Sequence, residues 1–240
     1  MSMSDQAQRF LAAPNAGGNS VVSEMLSYEV LGRYTGATLM ETEMEIAYYP
    51  AGGAKTDYTI NLVCASSKEK RIVLGVSVTR AMTHSVLNYT QEEAERLLRK
   101  KLKGVIYSTR NSGGCWRQQI LHIWSPKQEN TNLVAAAYHT LVQKAKSHLL
   151  VNTIILVTTA QNTPEIFTNQ MVPKIPSTTV QAIHTPVRRH PIRHKKSTDN
   201  TSISLYTLLP VFVLLLMLII EISFPIPLHS VHIFHYDFFM

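Results

Sequence analysis

The stretch from Ala51 to Met82 constrains the fold most. Two β-rich runs, Asp57–Cys64 and Arg71–Met82, flank the polar turn Ala-Ser-Ser-Lys-Glu-Lys that ends at Lys70. In the first run Tyr58, Ile60 and Leu62 alternate with Asp57, Thr59, Asn61 and Val63, the period of a strand with two unlike faces. In the second, Ile72 to Val78 is almost continuously apolar, as in a central strand covered on both sides. Together they predict an antiparallel hairpin whose first strand opens on a carboxylate.

Around this hairpin the sequence predicts alternating elements. Residues 1–19 are small and polar and are expected to be disordered. Ser20 is placed to cap a helix running to about Gly32, with Val22, Met25, Leu26 and Val30 on one face. Leu39 to Tyr49 alternates Met40, Met44, Ile46 and Tyr48 with Glu41, Glu43 and Glu45, which predicts a strand with one acidic side. After the hairpin, Thr90-Gln-Glu-Glu93 is a capping box. Ala94, Leu97, Leu98, Leu102 and Ile106 follow at helical spacing, and Gly104 is expected to weaken or end that helix. Its other face carries Arg96, Arg99, Lys100, Lys101 and Lys103, with no aromatic residue interleaved. This is either a solvated face or a phosphate-contacting one. A strand over Gln119–Trp124, a helix from Asn132 to Lys146 and a last buried strand over Thr153–Thr158 complete the domain, expected to span residues 20–160.

The order helix, strand, hairpin, helix, strand resembles the αβββαβ core of the PD-(D/E)xK nuclease-like superfamily over about residues 20–125. The resemblance implies an α/β fold, a central mixed sheet flanked by helices. It implies an Asp at the start of the second core strand, matched by Asp57, and an acid and a Lys two apart on the third. Those two positions here are Ser77 and Thr79, inside Val76-Ser-Val-Thr79. A Glu from the first helix sometimes joins such sites, and Glu24 or Glu29 could play that part. In an active member two acids hold Mg²⁺, which polarises the phosphate and activates water. Ser77 and Thr79 supply neutral hydroxyls instead. Arg80 cannot simply replace the Lys, since residue 80 points to the opposite strand face from 77 and 79. An acid displaced to Glu41, Glu43 or Glu45 is the remaining route to catalysis.

Beyond residue 160 the composition changes. Residues 161–202 are rich in Thr and Pro and end in a basic cluster, with 5 Lys or Arg between Arg188 and Lys196. This reads as a flexible linker. Ile203 to Ile220 is 18 residues without a charge, long enough to cross a bilayer core. The basic flank before it and the absence of Lys and Arg in 221–240 predict a single-pass, tail-anchored chain with its domain in the cytosol. Only Cys64 and Cys115 are present, with no metal-ligand spacing, which suits a reducing compartment.

The sequence thus predicts a membrane-anchored, non-catalytic nuclease-like domain acting as a binding module, for a protein partner or for nucleic acid without sequence preference. Asp57, Ser77 and Thr79 mark the degenerate site, and no metal or other cofactor is expected. One alternative is a Mg²⁺-dependent endonuclease using Asp57 and a displaced acid. Another is a soluble domain with an atypical C-terminus.

Overall fold

A computed structural model describes residues 3–14, 20–63, 71–83, 88–114, 116, 118–144, 147–150, 152–168 and 231–235. The expected hairpin forms: β2 (Tyr58–Val63) pairs antiparallel with β3 (Arg71–Arg80), from Tyr58 opposite Val76 to Val63 opposite Arg71. The short strand β1 (Thr38–Thr42) pairs antiparallel on the outer side of β2. On the other side, β4 (Gln119–Ser125) and β5 (Thr153–Thr159) continue the sheet in parallel. The parallel half requires crossovers. These are α3 (Gln91–Asn111), between β3 and β4, and α4 (Gln128–Gln143), between β4 and β5. The domain is therefore α/β, a mixed sheet with helices on both faces.

The two faces bury separate cores. On one, Tyr58, Ile60, Val76, Ile120 and Trp124 of the sheet pack with Met25, Tyr28, Val30 and Leu31 of α2 (Val21–Thr35). On the other, Leu121, Ile123, Ile155 and Val157 meet Ala94, Leu98 and Leu102 of α3 and Val134, Ala137 and Leu141 of α4. The alternation along β4, with Ile120 and Trp124 on one side and Leu121 and Ile123 on the other, is the strand period expressed in packing.

The structure corrects several boundaries. Residues 5–12 are not disordered but form α1 (Asp5–Ala12), capped by Ser4, whose hydroxyl accepts from Ala7 N–H. Its Ala7 and Phe10 are buried, and Phe10 meets Tyr58 edge-on at 5.2 Å. Burying one such ring is worth about 2 kcal/mol, which offsets the fraying of so short a helix. The strand expected to reach Tyr49 stops at Thr42. The Glu45 carboxylate there accepts from the backbone N–H (2.7 Å) and hydroxyl (3.1 Å) of Thr42, closing a turn that ends the ladder. Gly104 does not end α3, which continues to Asn111. Burial of Val105 and Ser108 beyond it outweighs the roughly 1 kcal/mol cost of a mid-helix glycine. The capping box is present in both directions, Glu93 N–H to Thr90 Oγ1 and Thr90 N–H to Glu93 carboxylate.

The domain also extends past residue 160. A short helix, α5 (Pro164–Phe167), buries Ile166 in the core under α2, so the expected linker begins no earlier than Asn169. Among the described residues no helix is long and apolar enough to cross a membrane. The basic cluster at 188–196 and the segment 203–220 lie outside the described residues. A sixth strand, β6 (Val231–His235), joins β5 in parallel, from Ile155 opposite Val231 to Thr159 opposite His235. A single membrane crossing between 168 and 231 would put β5 and β6 on opposite sides, so that crossing and this pairing are alternatives.

Candidate functional site

Asp57 stands immediately before β2. Its N–H donates to Val76 O at 3.0 Å, and its Oδ2 accepts from Val78 N–H at 2.6 Å. The side chain thus extends the β2–β3 ladder by one rung and fixes the carboxylate at the end of the hairpin. That end borders a polar cavity of about 220 Å³, lined by Asp57, Thr79, Arg80, Lys101, and Ser20 and Ser23 from the start of α2. Ser20 flanks α2 without capping it through its side chain, because its hydroxyl donates to the Glu24 carboxylate instead.

Two acids interact across this region. Burial, then the nearby Asp57 charge, push Glu24 up from 4.5 to about 8, against the pull of Ser20 and Lys101. Burial pushes Asp57 up from 3.8 to about 6, against the Val78 N–H and Lys101. Like charges in a desolvated site cannot both ionise freely. Near neutral pH the region therefore holds one carboxylate, one carboxylic acid and the Lys101 ammonium, which makes no ion pair with a described residue.

The other expected site residues separate. Ser77 does not open into the cavity. It is buried and donates to Gln119 Oε1 at 3.2 Å, in a network where Thr56 also donates to Gln119 and Gln119 Nε2 donates to Val105 O, Ser108 and Thr109. Thr79 does line the cavity. So does Arg80, from the strand face opposite Ser77 as expected, the face of Val76 and Val78 that packs with α2 and α5. Its guanidinium donates to Ile166 O (3.3 Å) and Thr168 O (3.2 Å) at α5.

Of the two helix acids, only Glu24 reaches the site. Glu29 accepts from Ser4 Oγ (2.7 Å) and pairs with Arg33 (2.6 Å). Burial raises it, but these bonds outweigh burial and hold it low. The acidic row of residues 41–45 also disperses. Glu45 pairs with Arg9 at 3.2 Å, Glu41 accepts from Thr59 at 3.3 Å, and Glu43 alone is close enough to raise Asp57 and Glu24.

The basic face of α3 divides as well. Lys101 turns into the cavity, Arg99 pairs with Glu95 at 3.2 Å, and Arg96, Lys100 and Lys103 are exposed. Lys101 was legible in principle. It lies in the row Leu97–Lys101–Gly104–Ser108, which flanks the buried row, whereas 96, 100 and 103 lie on the outer one.

The donor set fits Mg²⁺ poorly. Asp57 and Glu24 are already bonded to Val78 N–H and Ser20, and the third expected donor is the hydroxyl of Ser77, engaged by Gln119. Among the described residues no three His, Cys, Asp or Glu side chains are grouped to hold a metal ion.

No protein-family profile and no solved structure matches the chain. Over 172 residues, 69% of its length, it is 37% identical to the AAC-rich mRNA clone AAC4 protein of Dictyostelium discoideum. That stretch is 24% of the relative, so the chain spans about a quarter of the length of the protein it resembles.

Proposed function

We propose that this is a nuclease-like binding domain whose cavity takes a backbone phosphate of nucleic acid without cleaving it. The observation that carries the reading is the union of Lys101, Arg80 and the hydroxyls of Ser20 and Thr79 in one cavity with Asp57. Two cations, hydroxyl donors and the start of α2 suit a phosphate. Protonation of Glu24 leaves a single negative charge there, the Asp57 carboxylate bonded to Val78 N–H, against the two cations. Ser77, in the place of the second acid, is committed to Gln119 and leaves no carboxylate to complete a metal site.

The test uses the full chain and fluorescently labelled single- and double-stranded DNA and RNA oligonucleotides in low salt. Binding is expected in EDTA, weakened about tenfold in Lys101→Ala, with no cleavage after Mg²⁺ or Mn²⁺ is added. Cleavage that disappears in Asp57→Ala, in a variant still folded by circular dichroism, would establish the endonuclease alternative, with Glu43 as the displaced acid and Glu24 as the helix acid. Absence of binding in EDTA would reject the phosphate site.

A membrane anchor at 203–220, with the domain cytosolic, belongs to the same proposal. The β5–β6 pairing favours a second reading, a soluble domain whose C-terminal segment completes the sheet. Carbonate-resistant sedimentation of the full chain with membranes supports the anchor; release by carbonate supports the soluble domain.

A further inference from the structure

A second groove, of about 530 Å³, lies along the C-terminal half of α3. One wall is the helix row Lys103–Ile106–Tyr107–Arg110; the other is His148 and Leu149, in the 3₁₀ turn Ser147–Leu150, with Asn152. Residues three and four apart share a helix face, so these four side chains form one stripe. The stripe is about 200° around the helix from Lys101, two residues back at 100° each, and therefore faces away from the Asp57 cavity.

The lining has a chemical bias. Lys103, Arg110 and His148 are exposed, and no Asp or Glu among the described residues lines the groove. Between the two cations of α3, one turn from each, Tyr107 is 55% exposed, far more than a ring kept for packing. Leu149 and Val105 make an apolar floor. The volume is in the range of small-molecule sites. An exposed ring flanked by cations at single-turn spacing is the arrangement that stacks a base and neutralises the phosphates beside it. An acidic peptide would use the cations but would leave the ring without a role.

We propose that this groove binds one nucleotide unit of a single-stranded nucleic acid, the base on Tyr107 and the adjoining phosphates at Lys103 and Arg110. The proposal extends the phosphate-binding reading of the Asp57 cavity, and its test keeps the two apart. The full chain is titrated with a labelled ten-nucleotide single strand carrying 2-aminopurine, with the mononucleotide AMP, and with a labelled polyglutamate peptide.

The expected result is quenching of 2-aminopurine in the wild type. Tyr107→Ala should abolish the quenching and weaken strand binding about tenfold. Lys103→Glu combined with Arg110→Glu should weaken it further and flatten the salt dependence. Lys101→Ala should leave the quenching in place at saturating protein, so that failure of the cavity reading and failure of this one give different patterns. AMP competing at millimolar concentration identifies a site for the free nucleotide unit; competition by longer strands alone requires neighbouring phosphates, and either supports the groove. Unchanged quenching in Tyr107→Ala, or polyglutamate binding as tight as the strand, would overturn it. Thermal melting checks that each variant is folded, and Tyr107→Phe, which keeps the ring, should retain both quenching and affinity.

Discussion

Two polar assemblies each draw on α2 and the start of β2, and they differ in how completely they are satisfied. In the first, Ser27 bonds both Tyr58 OH and His122 Nδ1 at 2.7 Å, and His122 Nε2 bonds Thr158 Oγ1 at 2.9 Å. All four side chains are buried, and His122 also lies against Trp124 with ring centroids 4.5 Å apart. Burial lowers the imidazole to about 3, so it stays neutral. Each group has a partner and none reaches a cavity. In the second, Asp57, Glu24 and Lys101 close no ion pair with a described residue, both acids are raised, and the assembly borders a cavity. A network that is complete serves the fold; one left incomplete at a surface has capacity for a ligand.

Substitutions can break or sharpen that contrast. The largest effect is expected for His122→Leu, which strips Thr158 of its partner and interrupts the hydrogen-bonded chain from Tyr58 through Ser27 to Thr158 on the α2 face of the sheet. Unfolding in urea should show a loss of about 3–4 kcal/mol at pH 7. In the wild type, His122 is depressed in the folded state, so its contribution is present above about pH 6.5 and is lost as pH falls towards 3. The variant should lack that part of the acid sensitivity. A cost below 1 kcal/mol would mean the complete network is dispensable.

The opposite sign is expected for Glu24→Gln. Because folding raises this carboxyl, the unfolded chain ionises it from about pH 4.5 while the folded chain holds its proton to about pH 8. Wild-type stability should therefore fall as pH rises through that window. The amide should stabilise the domain by about 2 kcal/mol at pH 6 and by almost nothing at pH 4.5. A destabilised variant at pH 8 would show that the cavity needs the charge, and would point to a cation there. Asp57→Asn is expected to have the smallest effect, about 1 kcal/mol, because the amide oxygen can still accept from Val78 N–H. A loss several times larger in a melting curve would make Asp57 part of a buried ion pair or metal site.

Much of this architecture was readable from local pattern. The hairpin followed from the period-2 run at Tyr58–Val63 and the continuous run at Ile72–Val78, and the start of α3 from Thr90 and Glu93. What escaped was set by tertiary geometry. Helix α1 is too short to show a period, and its anchor, Phe10, needs Tyr58 to be meaningful. Helix α2 buries Ser23, Glu24, Ser27 and Glu29 among its apolar residues, which blurs the amphipathic signal and hides Glu24. The acidic run at 41–45 imitated a strand because its alternation is interrupted only by a side-chain-closed turn.

Gln119 has a consequence for the motions of the domain. One fully buried amide group joins Thr56 ahead of β2, Ser77 in β3 and Val105, Ser108 and Thr109 in α3. Asp57 follows Thr56 directly, and Lys101 rides on the same helix as Ser108. Neither the hairpin nor α3 can open without breaking that junction, so the backbone amides of Tyr58–Ile60, Val76–Val78 and Val105–Ser108 should exchange with deuterium as one cooperative unit. The two walls of the cavity are then held at a fixed spacing before any ligand arrives.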